Sequence, residues 1–306
     1  MDTNQIFILG APRSGTTFLS GLLRFTRYGR PVESHFITKY YLIIENYGDL
    51  SKRHNFNKLL NDILSERPVQ QWKLKLDIDE FYREIQPDFT YSNIVDKLLL
   101  KRSNLPTPNS WGDKTPHYLG SVDTISKLFP DAKFIYIIRD GRDVALSLLK
   151  KPWGPSNTIA CAEYWSELNR QSNTIEILEN KEQLLKIYYE DLLNNPEEII
   201  ENIYKFLDEE CSIEQRDQLA KSAKASNYNK WRDSMTKSQV RQFEALAKPT
   251  LSRLGYSVVN IHPKLYPFEH SLAKLHNLVK KWLFLVNTNL IDGFKIRFLG
   301  KEPFNE

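Results

Sequence analysis

The chain has 306 residues, 41% of them hydrophobic and 26% charged, with a formal net charge of +4 at neutral pH. That is enough for one large α/β domain with a sizeable core, or for two small ones, and the mild basic bias suits a multiply anionic nucleotide without demanding nucleic acid. The only cysteines, Cys161 and Cys211, lack metal-ligand spacing, exclude a disulfide scaffold and read as reduced core thiols.

Five residues, Met1 to Gln5, precede the first strand and leave no room for a signal peptide, so the expected compartment is the cytoplasm. Ile6 to Leu9 is an unbroken apolar run, as in a strand covered on both faces. It leads into Gly10-Ala11-Pro12-Arg13-Ser14-Gly15-Thr16-Thr17, and Thr16 to Thr26 then follows as a helix. The spacing is that of a Walker loop, G-x-x-x-x-G, whose glycines let the backbone aim its N–H groups at an anion. Thr16-Thr17 stand where a triphosphatase carries Lys-Ser/Thr, and the cation is Arg13, inside the turn. A phosphate cradle for a nucleotide other than ATP is the expectation.

Residues 27–110 hold scattered aromatics, short charged helical patterns and the turn-rich Leu105 to Asn109. Trp111-Gly112-Asp113-Lys114-Thr115-Pro116 then places a lysine before an extended Thr-Pro break. Ser121 to Phe129 has helical spacing, and Phe134 to Ile138 is a second buried strand, ending in Arg139-Asp140-Gly141-Arg142-Asp143. Ser147 lies about two helical turns further on, so a cation and a hydroxyl can converge on one phosphate edge. Ser156 to Glu179 reads as helix and Leu184 to Tyr189 as a third strand. Asn195 suits a helix cap, with Pro196 in the first turn, Glu197 and Glu198 opposing the dipole, and Ile199, Ile200, Ile203, Phe206 and Leu207 as the buried stripe.

This alternation predicts an α/β three-layer sandwich with a central, mainly parallel sheet, like that of the P-loop nucleotide hydrolases. In order along roughly residues 5–256, the loop, Trp111 to Pro116, Phe134 to Ser147, Tyr188 to Leu192, Lys230-Trp231-Arg232 and Leu254-Gly255-Tyr256 together resemble the sulfotransferases that use 3′-phosphoadenosine-5′-phosphosulfate (PAPS). The branch holding tyrosylprotein sulfotransferases and many bacterial members is the most similar. The resemblance implies PAPS as co-substrate with no metal. It implies a 5′-phosphosulfate held by Arg13, Ser14, Gly15, Thr16 and Thr17, and a 3′-phosphate held by Arg139 and Ser147. Tyr189 would lie near the nucleotide, and Trp231 by the adenine with Lys230 and Arg232 reaching the 3′-phosphate. Lys114, assisted by Arg13, matches the residue that stabilises the leaving nucleotide.

Glu33 matches the catalytic glutamate of the tyrosine-modifying branch, and a carboxylate there with a raised pKa would take the acceptor's proton. His35 competes for that role, since a histidine performs it in the cytosolic branch. Plain structural readings stay open: Tyr189 as a core aromatic, Lys230 to Arg232 as a solvated helix start, Arg142 as an ion-pair partner of Asp140.

The expected layout is a sulfotransferase domain over 1–260, with 27–110 shaping the acceptor pocket, and a helical extension over 261–306. Acceptors from carbohydrate, lipid and small molecule to tyrosine all fit, and nucleic acid is not expected. A small-molecule kinase or nucleotide triphosphatase, and a non-catalytic nucleotide-binding protein, are the alternatives. The tail from Leu278 to Leu299, with Trp282 to Val286 flanked by Lys280, Lys281, Lys295 and Arg297, is too short and interrupted to span a bilayer. Packing back on the domain is its default, and contact with a membrane surface or a partner the alternative.

Overall fold

A computed structural model describes residues 3–102, 106–107, 109–170, 172–223 and 228–287. Lys295 and Arg297 of the tail thus lie outside the described residues. The chain forms two compact units, Met1–Ile138 with Gln171–Ser226, and Arg139–Arg170 with Asn227–Glu306.

The first unit holds a parallel sheet flanked by helices. Its strands are β1 (Asn4–Leu9), β2 (Ser110–Asp113), β3 (Lys133–Ile138) and β4 (Leu184–Tyr188), in the order β2-β1-β3-β4. Ile6 to Leu9 and Phe134, Ile135 and Ile137 are almost wholly buried, which explains why these strands read as continuous apolar runs. β2 carries no such signal. Its Ser-Trp-Gly-Asp stretch becomes a strand through its ladder to β1, Asn4 opposite Ser110 and Phe7 opposite Asp113, and through Trp111, whose Nε1 donates to Asp96 Oδ1 at 2.8 Å.

Residues 27–110 are largely helical, with helices at Arg53–Leu64, Ile78–Ile85 and Tyr91–Leu100. Asp77 and Thr90 cap the latter two, and Phe56 packs against Phe81, Tyr82 and Phe89 to give this region its own aromatic core. The helix expected over 16–26 is Thr16–Leu22 followed by a 3₁₀ turn, Leu23–Phe25. The expected 156–179 helix is two, Thr158–Leu168 and Asn173–Asn180, interrupted where Asn169 Nδ2 bonds back to the Trp165 carbonyl. The third strand ends at Tyr188, and Tyr189 begins a helix, Tyr189–Asn194. In the Pro196–Phe206 helix, Asn195 makes no side-chain cap. Ile200, Ile203, Tyr204 and Leu207 are buried there, while Ile199 and Phe206 are only half-buried.

The second unit centres on Arg142, 1% exposed. Its guanidinium forks onto Asp140 (Nε to Oδ1 3.0 Å, Nη2 to Oδ2 2.7 Å), donates to Glu244 Oε1 at 2.9 Å and lies 3.7 Å from the Trp231 ring centroid. A buried cation is tolerated there because two carboxylates and an aromatic face replace its water. Cys161 is buried nearby in the chain, its thiol pushed up to about 12 by burial, whereas Cys211 is half-buried and not a core residue.

Candidate functional site

In a parallel sheet all strands present their carboxyl ends on one side, where an open α/β fold places its ligand. In the first unit those ends lead into the Gly10 to Thr17 loop after β1, Lys114 after β2 and Tyr189 after β4. Arg139 follows β3 directly.

The loop is shaped by two close approaches. A Cβ on Gly10 would sit 2.8 Å from Ile137 Cγ2, and one on Gly15, at φ +102°, would sit 2.5 Å from the Tyr189 ring. Tyr189, 5% exposed, is therefore the wall against which the loop turns, in agreement with the core-aromatic reading. Arg13 also adopts a left-handed backbone, φ 75°, with its side chain exposed. Ser14 N donates to the Ala11 carbonyl at 3.0 Å, and Ser14 and Thr16 are buried while Thr17 is exposed. The Thr16–Leu22 helix starts with no side-chain cap and no acid in its first turn, so the amides at its start have no intrahelical acceptor. That donor set fits an anion.

Lys114, Glu33 and His35 come together beside this loop. The stretch around Val32 runs parallel to the end of β2, with a bridge between Val32 and Asp113 and Lys114 N donating to the Val32 carbonyl at 2.8 Å. Asp113, 1% exposed, locks the two segments: Oδ2 accepts from Ser34 N at 3.1 Å and Oδ1 from Thr115 N at 2.8 Å. Thr115 Oγ1 accepts from Ser34 N at 3.0 Å and His35 N at 3.3 Å, and Ser34 Oγ meets Tyr118 OH at 2.9 Å. On this frame Lys114 Nζ bonds Glu33 Oε1 and donates to Thr17 Oγ1 at 3.3 Å, while Glu33 Oε2 lies 2.8 Å from His35 Nε2. Lys114 is 7% exposed, which excludes a surface lysine.

The electrostatics correct one expectation. Burial alone would raise the Glu33 pKa, but hydrogen bonds from His35 and Lys114 and their charges outweigh it and hold the carboxyl at about 2, not above its usual range. His35 is raised, chiefly by its bond to Glu33. Asp113 is pushed up to about 6 by burial, against the pull of its hydrogen bonds. Asp113 was not singled out in the sequence, although the Asp-x-Thr spacing that lets Asp113 accept from Thr115 N is a legible Asx-turn signal.

In the second unit, Arg139 is 9% exposed and Ser147 half-buried on the Gly141–Leu148 helix. Asp143 accepts from Trp231 N at 2.9 Å and lies within electrostatic reach of Arg139, so one carboxylate gathers the strand-end cation and the Lys230 to Arg232 segment. Lys230 and Arg232 are exposed. Trp231 is 3% exposed, with Arg142 over its ring and Arg232 4.6 Å from the ring centroid.

A glycine loop between strand and helix, at the carboxyl edge of a parallel sheet, with cations in and beside it, defines a P-loop-like α/β protein. A family model described as the sulfotransferase family matches residues 5–213, and the chain belongs to that family. It is 25% identical over 283 residues to the protein-tyrosine sulfotransferase of Drosophila melanogaster, covering 82% of this chain and 51% of the relative. It is 28% identical over 174 residues to a putative protein-tyrosine sulfotransferase of Caenorhabditis briggsae, covering 49% of this chain and 62% of the relative. The chain thus spans less than two thirds of the length of these two relatives. The sulfotransferase domain from the curacin biosynthetic pathway shares the fold, with a TM-score of 0.54 at 19% identity over 83% of this chain and 98% of that domain.

The relatives also correct the cytoplasmic expectation. They are protein-tyrosine sulfotransferases, the branch whose eukaryotic members work in the Golgi behind a membrane anchor, so the few residues ahead of β1 do not place the chain in the cytoplasm. Among the described residues no helix is long and apolar enough to cross a membrane.

Proposed function

We propose that the chain transfers a sulfuryl group from PAPS to a hydroxyl, giving a sulfate ester and adenosine 3′,5′-bisphosphate, and that a tyrosyl phenol is the first acceptor to test. The observation that carries this reading is the Lys114 ammonium bonded at once to the Glu33 carboxylate and to the Thr17 hydroxyl of the anion loop. A cation for the leaving oxygen and a carboxylate for the acceptor proton then adjoin one phosphate cradle, as a loose in-line transfer requires.

In this reading the Gly15 to Thr17 amides, with Arg13, take the 5′-phosphosulfate, and Arg139 and Ser147 take the 3′-phosphate. Lys114 exchanges Glu33 for the bridging oxygen. Loss of that partner raises the basicity of Glu33 as the acceptor approaches, and His35 orients the carboxylate through Oε2. The acceptor oxygen bonds to sulfur as the bond from sulfur to the bridging oxygen breaks, and the acceptor's proton passes to Glu33. Support comes from the family match and from the names of the relatives.

The test is incubation with radiolabelled PAPS and a panel of tyrosyl peptides, phenols, alcohols and sugars. Label on an acceptor with stoichiometric release of the bisphosphate is expected. Magnesium-dependent turnover of ATP, or tight bisphosphate binding with no transfer to any acceptor, would overturn the proposal.

A further inference from the structure

The Glu269–Val286 helix is attached to its own unit by its polar side. Glu269 bonds Arg241 at 3.0 and 2.6 Å, His270 Nε2 lies 2.6 Å from Glu163 Oε1, Asn157 Nδ2 donates to the Ala273 carbonyl at 2.8 Å, and Ser156 N donates to Asn277 Oδ1 at 2.9 Å. Residues 270, 273 and 277 share one helix face. The opposite face carries Leu272, Leu275, Leu278, Val279, Trp282 and Leu283, each between 48% and 64% exposed, and no residue of the helix is buried. A helix of a soluble domain turns its apolar stripe inward. This one is reversed.

Its charges name the occupant. Lys274, 3.9 Å from Glu163, and Lys281, seven residues further on, follow one margin of the apolar face, and Lys280 lies toward the other. Glu269, the helix's single acid, is held by Arg241. The outward side and its margins are therefore apolar and cationic, with an indole in their midst. Against a second copy of this face, a two-fold contact would set Lys280 and Lys281 among their own copies, while the helix's Glu269 is taken up by Arg241. A lipid surface supplies what the face lacks: an acyl boundary for the leucines and an anionic headgroup layer for the lysines.

We propose that this helix lies flat on an anionic bilayer, its leucines and Trp282 in the acyl boundary and its lysines at the headgroups. The test is flotation of the full-length chain with phosphatidylcholine vesicles prepared with and without phosphatidylserine. Binding is expected to be tighter by about tenfold or more on the anionic vesicles and to weaken as salt rises. Leu275→Ser with Trp282→Ser should abolish it. Lys280→Glu with Lys281→Glu should remove the preference for phosphatidylserine, and because all four side chains are exposed the melting temperature should not move. Three results would each overturn the proposal: no flotation with either vesicle, undiminished flotation of the Leu275→Ser/Trp282→Ser variant, or a dimer in solution that this variant dissociates while the parent ignores lipid.

Discussion

Glu33 is held between the Lys114 ammonium and the His35 imidazole, and that arrangement sets what its removal should do. With Oε1 on Lys114 and Oε2 on His35, the resting carboxylate competes with any incoming oxyanion for Lys114. Glu33→Gln should therefore lower turnover by roughly 10²- to 10⁴-fold, the range of a lost general base. The same change should tighten bisphosphate binding several-fold, which titration calorimetry would register; weakened binding would contradict the competition. A pH signature accompanies it. The Glu33 pKa is depressed to about 2, so the stability it contributes is present above the unfolded carboxyl value near 4.3 and disappears as pH falls toward 2. His35 is raised, so its contribution is present below about 6.5 and is lost as pH climbs through its folded value. The melting-temperature gap between the parent chain and Glu33→Gln should thus be widest between about pH 4.5 and 6.5 and shrink on either side.

At the level of elements, the frame of the proposed catalytic site depends on Asp113, which joins the end of β2 to the Ser34 segment. Asp113→Asn keeps the shape but turns an amide NH₂ toward one of the two backbone N–H groups, so that one of the two acceptors joining the segments is lost, at a cost of about 1–3 kcal/mol. Chemical denaturation should show the loss, together with a fall in kcat larger than the change in KM, because Glu33 and Lys114 would no longer be held in register. The local half of this joint, Asp113 to Thr115 N, is legible as an Asx turn, but its long-range half to Ser34 and the contact it supports are not. β1 and β3 are, because strands buried on both faces leave unbroken apolar runs, and the glycine loop is, because its backbone needs are local. Glu33 and Lys114 are 81 residues apart and meet only through the Val32–Asp113 bridge, which spacing along the chain does not encode. The Glu269–Val286 helix shows a related limit: periodicity announces an apolar face but not whether that face points inward.

For the molecule as a whole, the proposed use of one bisphosphorylated nucleotide makes a differential prediction. Arg139→Ala should weaken binding of adenosine 3′,5′-bisphosphate far more than that of adenosine 5′-phosphosulfate, and equal losses would remove Arg139 from the 3′-phosphate. The bisphosphate at a hundred times its Kd should stabilise the chain by about 2.7 kcal/mol, visible as a higher melting temperature. That gain has a particular place to appear. β2 is an outer strand of only four residues, and what borders it is the Pro31 to Ser34 stretch, joined through Val32 and Asp113. The segment that seals the open rim of the sheet is the one carrying Glu33. Under the proposed function, occupancy of the cradle should favour closure of that rim: amide exchange at Val32 to Ser34 and at Asp113 and Lys114 should slow when nucleotide is added, and a substitution that frays the rim should surface first as lost affinity, before the fold itself gives way.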